Sequence, residues 1–148
     1  MADFYLTPAI KADFSAIKRL IFETGINPMS LKWERFYVPK STADDIFIGC
    51  GQLKPHGDGT VELASIATVK AWRNKGVASA MVQKLMEIGP RPLYLTCVST
   101  MGPFYEKFGF RSLEYNALPK YFRRLSNLAG FVNALHVMNE KLLVMQLD

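Results

Sequence analysis

The sequence predicts an α/β (α+β) fold, a mixed central sheet of about six to seven strands flanked by helices. Three observations lead there. With 148 residues, 49% hydrophobic and 21% charged, the chain can bury one good core and is short for two ordinary domains, so residues 1–148 are expected to form a single domain. Strand-like runs near the start are joined by short links, which implies an antiparallel meander. Further on, strands alternate with helical patterns, which implies a sheet covered by helices.

Taken in order, Phe4 to Leu6 is a first strand, and a helix follows from about Lys11 to Thr24 with Phe14, Ile17, Leu20 and Ile21 on one face. Gly25 stops that helix, and Asn27-Pro28 marks a loop. Strands are expected at Trp33 to Val38, Ile46 to Leu53 and Val61 to Val69, separated by Pro39 to Asp45 and by the turn-rich Pro55-His56-Gly57-Asp58-Gly59. A second helix runs from about Lys75 to Ile88, with Val77, Met81, Leu85 and Ile88 as its apolar stripe, and Gly89-Pro90 ends it. Alternation of Leu93, Leu95 and Cys97 with Tyr94 and Thr96 makes Pro92 to Ser99 a strand. A short helix around Pro103 to Phe108, a strand from Phe110 to Tyr115, a basic amphipathic helix from Pro119 to Gly130 and a closing strand from Leu142 to Leu147 complete the pattern. No internal repeat or low-complexity tract interrupts it.

Several classes of protein are disfavoured. The apolar stretches are broken by charges or prolines well before the roughly 20 residues a membrane helix needs. Met1-Ala2-Asp3-Phe4-Tyr5 lacks a basic region followed by an apolar one, so no signal peptide and a cytoplasmic location are expected. Cys50 and Cys97 each lie in an apolar strand-like run, outside any CxxC, which predicts two reduced, buried thiols rather than a disulfide framework or a zinc site. The formal charge of +5 and a pI near 9.3 suit an anionic partner, whether nucleic acid, an acidic surface or a phosphorylated cofactor.

One segment narrows that choice. After the strand ending near Val69 comes Lys70-Ala71-Trp72-Arg73-Asn74-Lys75-Gly76-Val77-Ala78, in which a helix opens. Its free N-terminal amides, its dipole and the nearby cations favour an anion, while Gly76 and the small Ala78 allow close backbone approach. Neither a P-loop ending in Gly-Lys-Ser/Thr nor a GxGxxG after a strand is present. Alone, the hexapeptide fits solvated charges at a helix start equally well.

The segment RNKGVA resembles the R/Q-x-x-G-x-G/A signature of the GNAT superfamily of N-acetyltransferases, at the strand-to-helix position where that family carries it. Phe104-Tyr105-Glu106-Lys107-Phe108-Gly109-Phe110 is similar to the family's tyrosine helix ending in Gly-Phe. Glu62-Leu63-Ala64-Ser65-Ile66-Ala67-Thr68 resembles its fourth strand. The resemblance extends over nearly the whole chain but weakens after Leu118, where a basic helix precedes the last strand. It implies that strands 4 and 5 splay near a bulge to form the acetyl-CoA cleft. Pantetheine would then bond the backbone around Ile66, Ala67 and Thr68. The pyrophosphate would be held by Arg73, Asn74, Lys75, Gly76, Val77, Ala78 and Ser79. Many members carry a cofactor-bonding asparagine where this chain has Ser99-Thr100, and either hydroxyl could take its place.

The chemistry needs two side chains. An alkylamine has a pKa near ~10, so a carboxylate acting directly or through water helps it attack a thioester. Glu62, on the strand that would carry the pantetheine, falls where several members of the family place their general base; its alternative is a solvated place on a strand face. The CoA thiolate leaves more easily if an acid meets it, and Tyr105 matches the family's tyrosine in that role, with core packing among Phe104, Phe108 and Phe110 as the alternative. The reading that follows is acetyl transfer from acetyl-CoA to an unidentified primary amine in a ternary complex, without a metal. The rival is a non-catalytic acyl-CoA-binding module.

Other features carry less. A Cys97 nucleophile served by His56 or His136 has no local support. His56 is expected exposed in its glycine-rich hairpin, and His136 partly packed. Lys107, Arg111, Lys120, Arg123 and Arg124 outnumber Glu106 and Glu114 between residues 105 and 130. They read either as a solvated face or, at Arg123 and Arg124, as a contact to the CoA 3′-phosphate or an acidic acceptor. No nucleic-acid motif accompanies them. No membrane partner is expected, and a homodimer is compatible with the aromatic content.

Overall fold

The structure, a computed structural model, describes residues 3–128, 133 and 136–148. It gathers into two compact units, Met1–Lys54 with Leu63–Ile88, and Pro55–Glu62 with Gly89–Asp148.

The first unit contains β1 (Phe4–Pro8), α1 (Phe14–Thr24), β2 (Phe36–Ser41), β3 (Gly49–Pro55, to Lys54), most of β4 (Val61–Thr68) and α2 (Val77–Ile88). β1 runs antiparallel to β2 from Phe4↔Ser41 to Pro8↔Tyr37, and β2 antiparallel to β3 at Phe36↔Gln52 and Tyr37↔Gly51. Ile17, Leu20 and Ile21 of α1, one helical face, close over Phe36, Val38, Cys50 and Ala67. Gly25, at φ 72, ends α1 by turning its own N–H back onto the last turn. Asp13 accepts the Ile10 amide at 2.9 Å and pairs with Lys40 at 3.2 Å, so the entry to α1 is held to β2.

Several boundaries differ from expectation here, among them β3, which runs Gly49–Pro55 rather than Ile46 to Leu53. Trp33–Arg35 is a 3₁₀ turn, and β2 continues through Pro39 to Ser41. Pro39 has no N–H to give, but its carbonyl accepts the Ile48 amide at 3.0 Å and the Ile48 carbonyl opposite takes its hydrogen from the Val69 amide at 2.9 Å, so no acceptor is left short. α2 begins at Val77 rather than Lys75, and its buried face is Val77, Met81, Val82 and Leu85. Ile88 is left exposed at the helix end.

The second unit holds the tip of the β3–β4 hairpin, β5 (Leu93–Val98), α3 (Gly102–Glu106), β6 (Arg111–Ser112), α4 (Lys120–Ser126) and β7 (Leu142–Leu147). β5 and β7 are antiparallel from Leu93↔Leu147 to Val98↔Leu142, and β6 adds Arg111↔Gln146 and Ser112↔Met145. Tyr94, Leu118, Phe122 and Val144 form its core. β6 is shorter than the expected Phe110–Tyr115 strand because Tyr115–Ala117 turns into a 3₁₀ segment. α4 ends at Ser126, and the remainder of the expected Pro119–Gly130 helix, at residues 129 and 130, lies outside the described residues.

The strand order is β1-β2-β3-β4-β5-β7-β6, with β4 and β5 parallel at Glu62↔Tyr94. This is the mixed α/β sheet the sequence predicts. Among the described residues no helix is long and apolar enough to cross a membrane.

Gly49 shows how tightly the first unit is packed. A Cβ there would sit 2.7 Å from the Ala67 carbonyl oxygen and 3.0 Å from the Pro39 ring. Gly49→Ala is therefore expected to destabilise the protein by about 1–3 kcal/mol, the usual range for overpacking, as read by urea unfolding.

Candidate active site

The loop expected to hold pyrophosphate lies in the first unit. β4 ends at Thr68, Lys70–Trp72 makes a 3₁₀ turn, and α2 starts at Val77. Between them, Asn74 (φ 63) and Gly76 (φ 83) are both left-handed. Asparagine and glycine are residue types that enter this region at least cost. The first helical bond is Ala80 N–H to Gly76 C=O at 3.1 Å. The amides of Val77, Ala78 and Ser79 are therefore not used inside the helix, the arrangement that binds anions.

Side chains of the loop divide by role. Arg73 Nε donates to the Thr68 carbonyl at 3.2 Å, and Lys75 Nζ lies 5.2 Å from the centre of the Trp72 ring. Val77 is buried and packs inward, leaving only its backbone to the loop. Upstream, Ser65 takes φ 59, a left-handed residue in the middle of β4, which runs on to Thr68. Gln52 Nε2 donates to its hydroxyl at 2.8 Å, and Cys50 Sγ lies 3.4 Å from its carbonyl. Ala67 packs into the core next to it.

Glu62 lies in the second unit and is 7% exposed. Its Oε1 is 2.8 Å from His56 Nε2, and its Oε2 accepts from Thr96 Oγ1 at 3.3 Å. It is thus a buried, hydrogen-bonded carboxylate rather than a solvated residue on a strand face. His56 corrects the expectation of an exposed hairpin residue, because its side chain is only 5% exposed. The ring stacks on Tyr121 at 3.5 Å between centroids with planes 12° apart, and Phe122 meets it edge-on at 5.8 Å. Sequence reasoning missed this partner, since the turn-rich hairpin gives no hint that α4 covers it.

Tyr105, on α3, is buried against Phe104 and Phe110. Burial, with a smaller contribution from Cys97, pushes its hydroxyl up to about 12. No hydrogen bond joins Tyr105 to Glu62 among the described residues. Ser99 and Thr100 are also resolved: both hydroxyls and the Thr100 amide donate to Glu140 Oε2 at 3.2–3.3 Å, so they fasten the start of α3 to the approach to β7. Both hydroxyl hydrogens are thus engaged with Glu140, while the oxygens keep acceptor lone pairs.

Cys97 is half-buried rather than buried. Its thiol faces Met145 Sδ at 3.9 Å, and burial pushes it up to about 11. That rules against a nucleophilic thiolate. His136 is exposed, not packed. Among the described residues no group of three or more His, Cys, Asp or Glu could hold a metal ion.

On α4, Arg123 Nη2 donates to the Leu118 carbonyl at 3.1 Å, so it serves its own helix. Lys120 and Arg124 line, with Gly57, Asp58 and Tyr121, a shallow cavity of about 140 Å³. Asp58 accepts the Tyr121 amide at 2.9 Å and the Thr60 amide and hydroxyl at 3.0 and 2.6 Å. It thereby fastens the hairpin tip to the first turn of α4.

The left-handed, amide-rich loop after β4 is of the kind that suits an anion. The family model for the acetyltransferase (GNAT) domain matches residues 32–112, more than half of the chain. The protein belongs to the GNAT acetyltransferase family. Among solved structures it is similar to N-acetylglutamate synthase from Neisseria gonorrhoeae, complexed with coenzyme A and N-acetyl-glutamate (TM-score 0.72, 19% identity); the match covers 100% of this chain but 36% of that one. It is also similar to a Mycobacterium tuberculosis protein in complex with CoA (TM-score 0.72, 18% identity, 97% and 98% of the two chains). A third is an acetyltransferase of the GNAT family from Staphylococcus aureus (TM-score 0.61, 15% identity, 78% and 89%). At these identities the likeness establishes the fold. No curated protein matches the chain in sequence.

Asp58 gives a pH-dependent test of the hairpin fastening. Burial raises its carboxyl, but hydrogen bonds from Thr60 and Tyr121, with His56 nearby, outweigh that and hold it below the ordinary carboxylate value. A depressed folded value means the stabilisation is present above the unfolded pKa of about 3.9 and is lost as pH falls through the folded one. Asp58→Ala should therefore cost about 1 kcal/mol at neutral pH, as for a lost helix cap. In thermal melts the gap to wild type should close as pH falls below about 4.

Proposed function

We propose that residues 1–148 act as one N-acetyltransferase domain that moves acetyl from acetyl-CoA to a primary amine by direct attack in a ternary complex. The observation that carries this is Glu62: a buried carboxylate held at both oxygens, on the strand that runs into the amide-rich loop. Glu62 takes the proton from the attacking amine, directly or through one water. The amides of Val77, Ala78 and Ser79, with Asn74, Gly76 and Lys75, hold the pyrophosphate. Arg73 shapes the loop through its bond to Thr68. Backbone groups of Ile66, Ala67 and Thr68 meet the pantetheine, which agrees with the inward packing of Ala67.

Tyr105 stands at the departing sulfur. Burial pushes its hydroxyl up to about 12, which keeps it protonated until the CoA thiolate develops. Its part is to hydrogen-bond that thiolate and pass it the proton, as general acid. The acceptor is an amine, and the similarity to a structure holding N-acetyl-glutamate makes amino acids the first class to try.

CoA release from acetyl-CoA, measured over L-glutamate and other amino acids, spermidine and short lysine peptides, tests the reading. Glu62→Gln should lower kcat/KM by about 100-fold or more, and Tyr105→Phe by about tenfold, the loss of one hydrogen bond to a charged group. Neither should change the Kd for acetyl-CoA, whereas Gly76→Val, which strains a left-handed position, should raise it at least about tenfold. Tight acetyl-CoA binding with no turnover on any amine, indifferent to Glu62 and Tyr105, would instead identify an acyl-CoA-binding module.

A further inference from the structure

The His56–Glu62 contact can be read beyond its role in packing. An ionised carboxylate offers only acceptors, so a 2.8 Å bond to Glu62 Oε1 requires the hydrogen on Nε2 of His56. Nδ1 makes no protein hydrogen bond among the described residues, so Glu62 alone sets which ring nitrogen carries it. The ring cannot swing away. Its backbone sits in a stapled turn, with the His56 amide donating to the Thr60 carbonyl at 2.9 Å and the Gly59 amide to the His56 carbonyl at 3.1 Å. Its face is covered by Tyr121 and its edge by Phe122. Tyr121 in turn is fixed by its amide bond to Asp58 in the same hairpin.

We infer that His56 is a positioning residue for the base: by holding Oε1 in a short bond it fixes the rotation of the Glu62 carboxylate and leaves Oε2, which has only the longer 3.3 Å contact from Thr96, as the oxygen that receives the amine proton. The inference rests on Glu62 being the base. The proton balance is simple. The amine lone pair forms the C–N bond to the thioester carbonyl as its N–H bond breaks and an O–H bond forms at Glu62 Oε2; the tetrahedral carbon then breaks its C–S bond and releases the CoA thiolate, and His56 keeps its Nε2–H throughout. The Asp58–Tyr121–His56 chain is then the support that keeps a buried carboxylate at one angle, much as outer partners orient the ligands of a metal.

Two substitutions separate orientation from packing. His56→Phe keeps a flat ring for Tyr121 to stack on but has no N–H, and it should lower kcat by about 10- to 100-fold, with KM for acetyl-CoA within about twofold. His56→Gln presents an amide N–H at similar reach, and should recover turnover to within about fivefold of wild type. Assays use the amine with the highest turnover in the panel above. If His56→Phe turns over like wild type while Glu62→Gln is inactive, the positioning role is wrong and the base assignment survives. If Glu62→Gln also turns over like wild type, the base assignment falls first. A readout free of any acceptor is ¹⁵N NMR of the imidazoles, simple with two histidines in the chain. His56 should show a hydrogen on Nε2 and shift on Glu62→Gln, and a neutral ring with its hydrogen on Nδ1 would overturn the proposal.

Discussion

A carboxylate that leaves water loses several kcal/mol of hydration unless hydrogen-bond donors replace it. Glu62 is in that position, and much of the second unit is arranged around satisfying it. His56 and Thr96 reach it from a hairpin and from β5. The strand pairing Glu62↔Tyr94 puts Thr96 two residues along on the same face of β5, where period-2 alternation makes its hydroxyl available. His56 is brought in by the hairpin turn, and α4 is held over it by Asp58. The tip itself stays exposed at Gly57, Asp58 and Gly59, while the His56 side chain turns inward to Glu62.

The first unit depends on backbone shape rather than on charge. Three left-handed residues, Ser65, Asn74 and Gly76, lie within twelve positions. The first lies in the middle of β4, and the other two turn the chain ahead of α2, which opens with three unspent amides. The side chains there mostly serve the loop itself, as Arg73 does through the Thr68 carbonyl. An anion at this helix start would meet main-chain N–H groups with Arg73 and Lys75 close by in sequence.

What could be read from the sequence follows from what is local. The amphipathic stripes of α1 and α2, the extent of β5 and the loop from Arg73 to Ser79 are encoded in neighbouring residues, and the structure places them within a few positions of expectation; the alternation expected in β5 is not seen, since Leu93, Tyr94 and Leu95 are all buried. Contacts made by chain reversal were not legible. His56 reads as a turn residue because Gly57, Asp58 and Gly59 surround it, and only α4, more than sixty positions later, buries it. Ser99 and Thr100 look like ligand-facing hydroxyls until Glu140, forty positions on, accepts from both. Pro39 reads as a break because it has no N–H for a ladder, and whether the facing carbonyl finds another donor, as Ile48 does in Val69, is set by register rather than by composition.

Hairpin tips are usually the places where a chain accepts extra residues during divergence, because they face solvent and make few contacts. The β3–β4 tip is an exception. Three positions of this tip are committed: His56 faces the carboxylate, Asp58 receives an amide from α4, and Thr60 closes the turn on both. Lengthening it by a single residue would move His56 out of step with Glu62 while leaving the strands intact. Among related chains, the length of this tip should therefore vary together with the helix that covers it, and that shared constraint separates members built around a histidine-held carboxylate from those that are not.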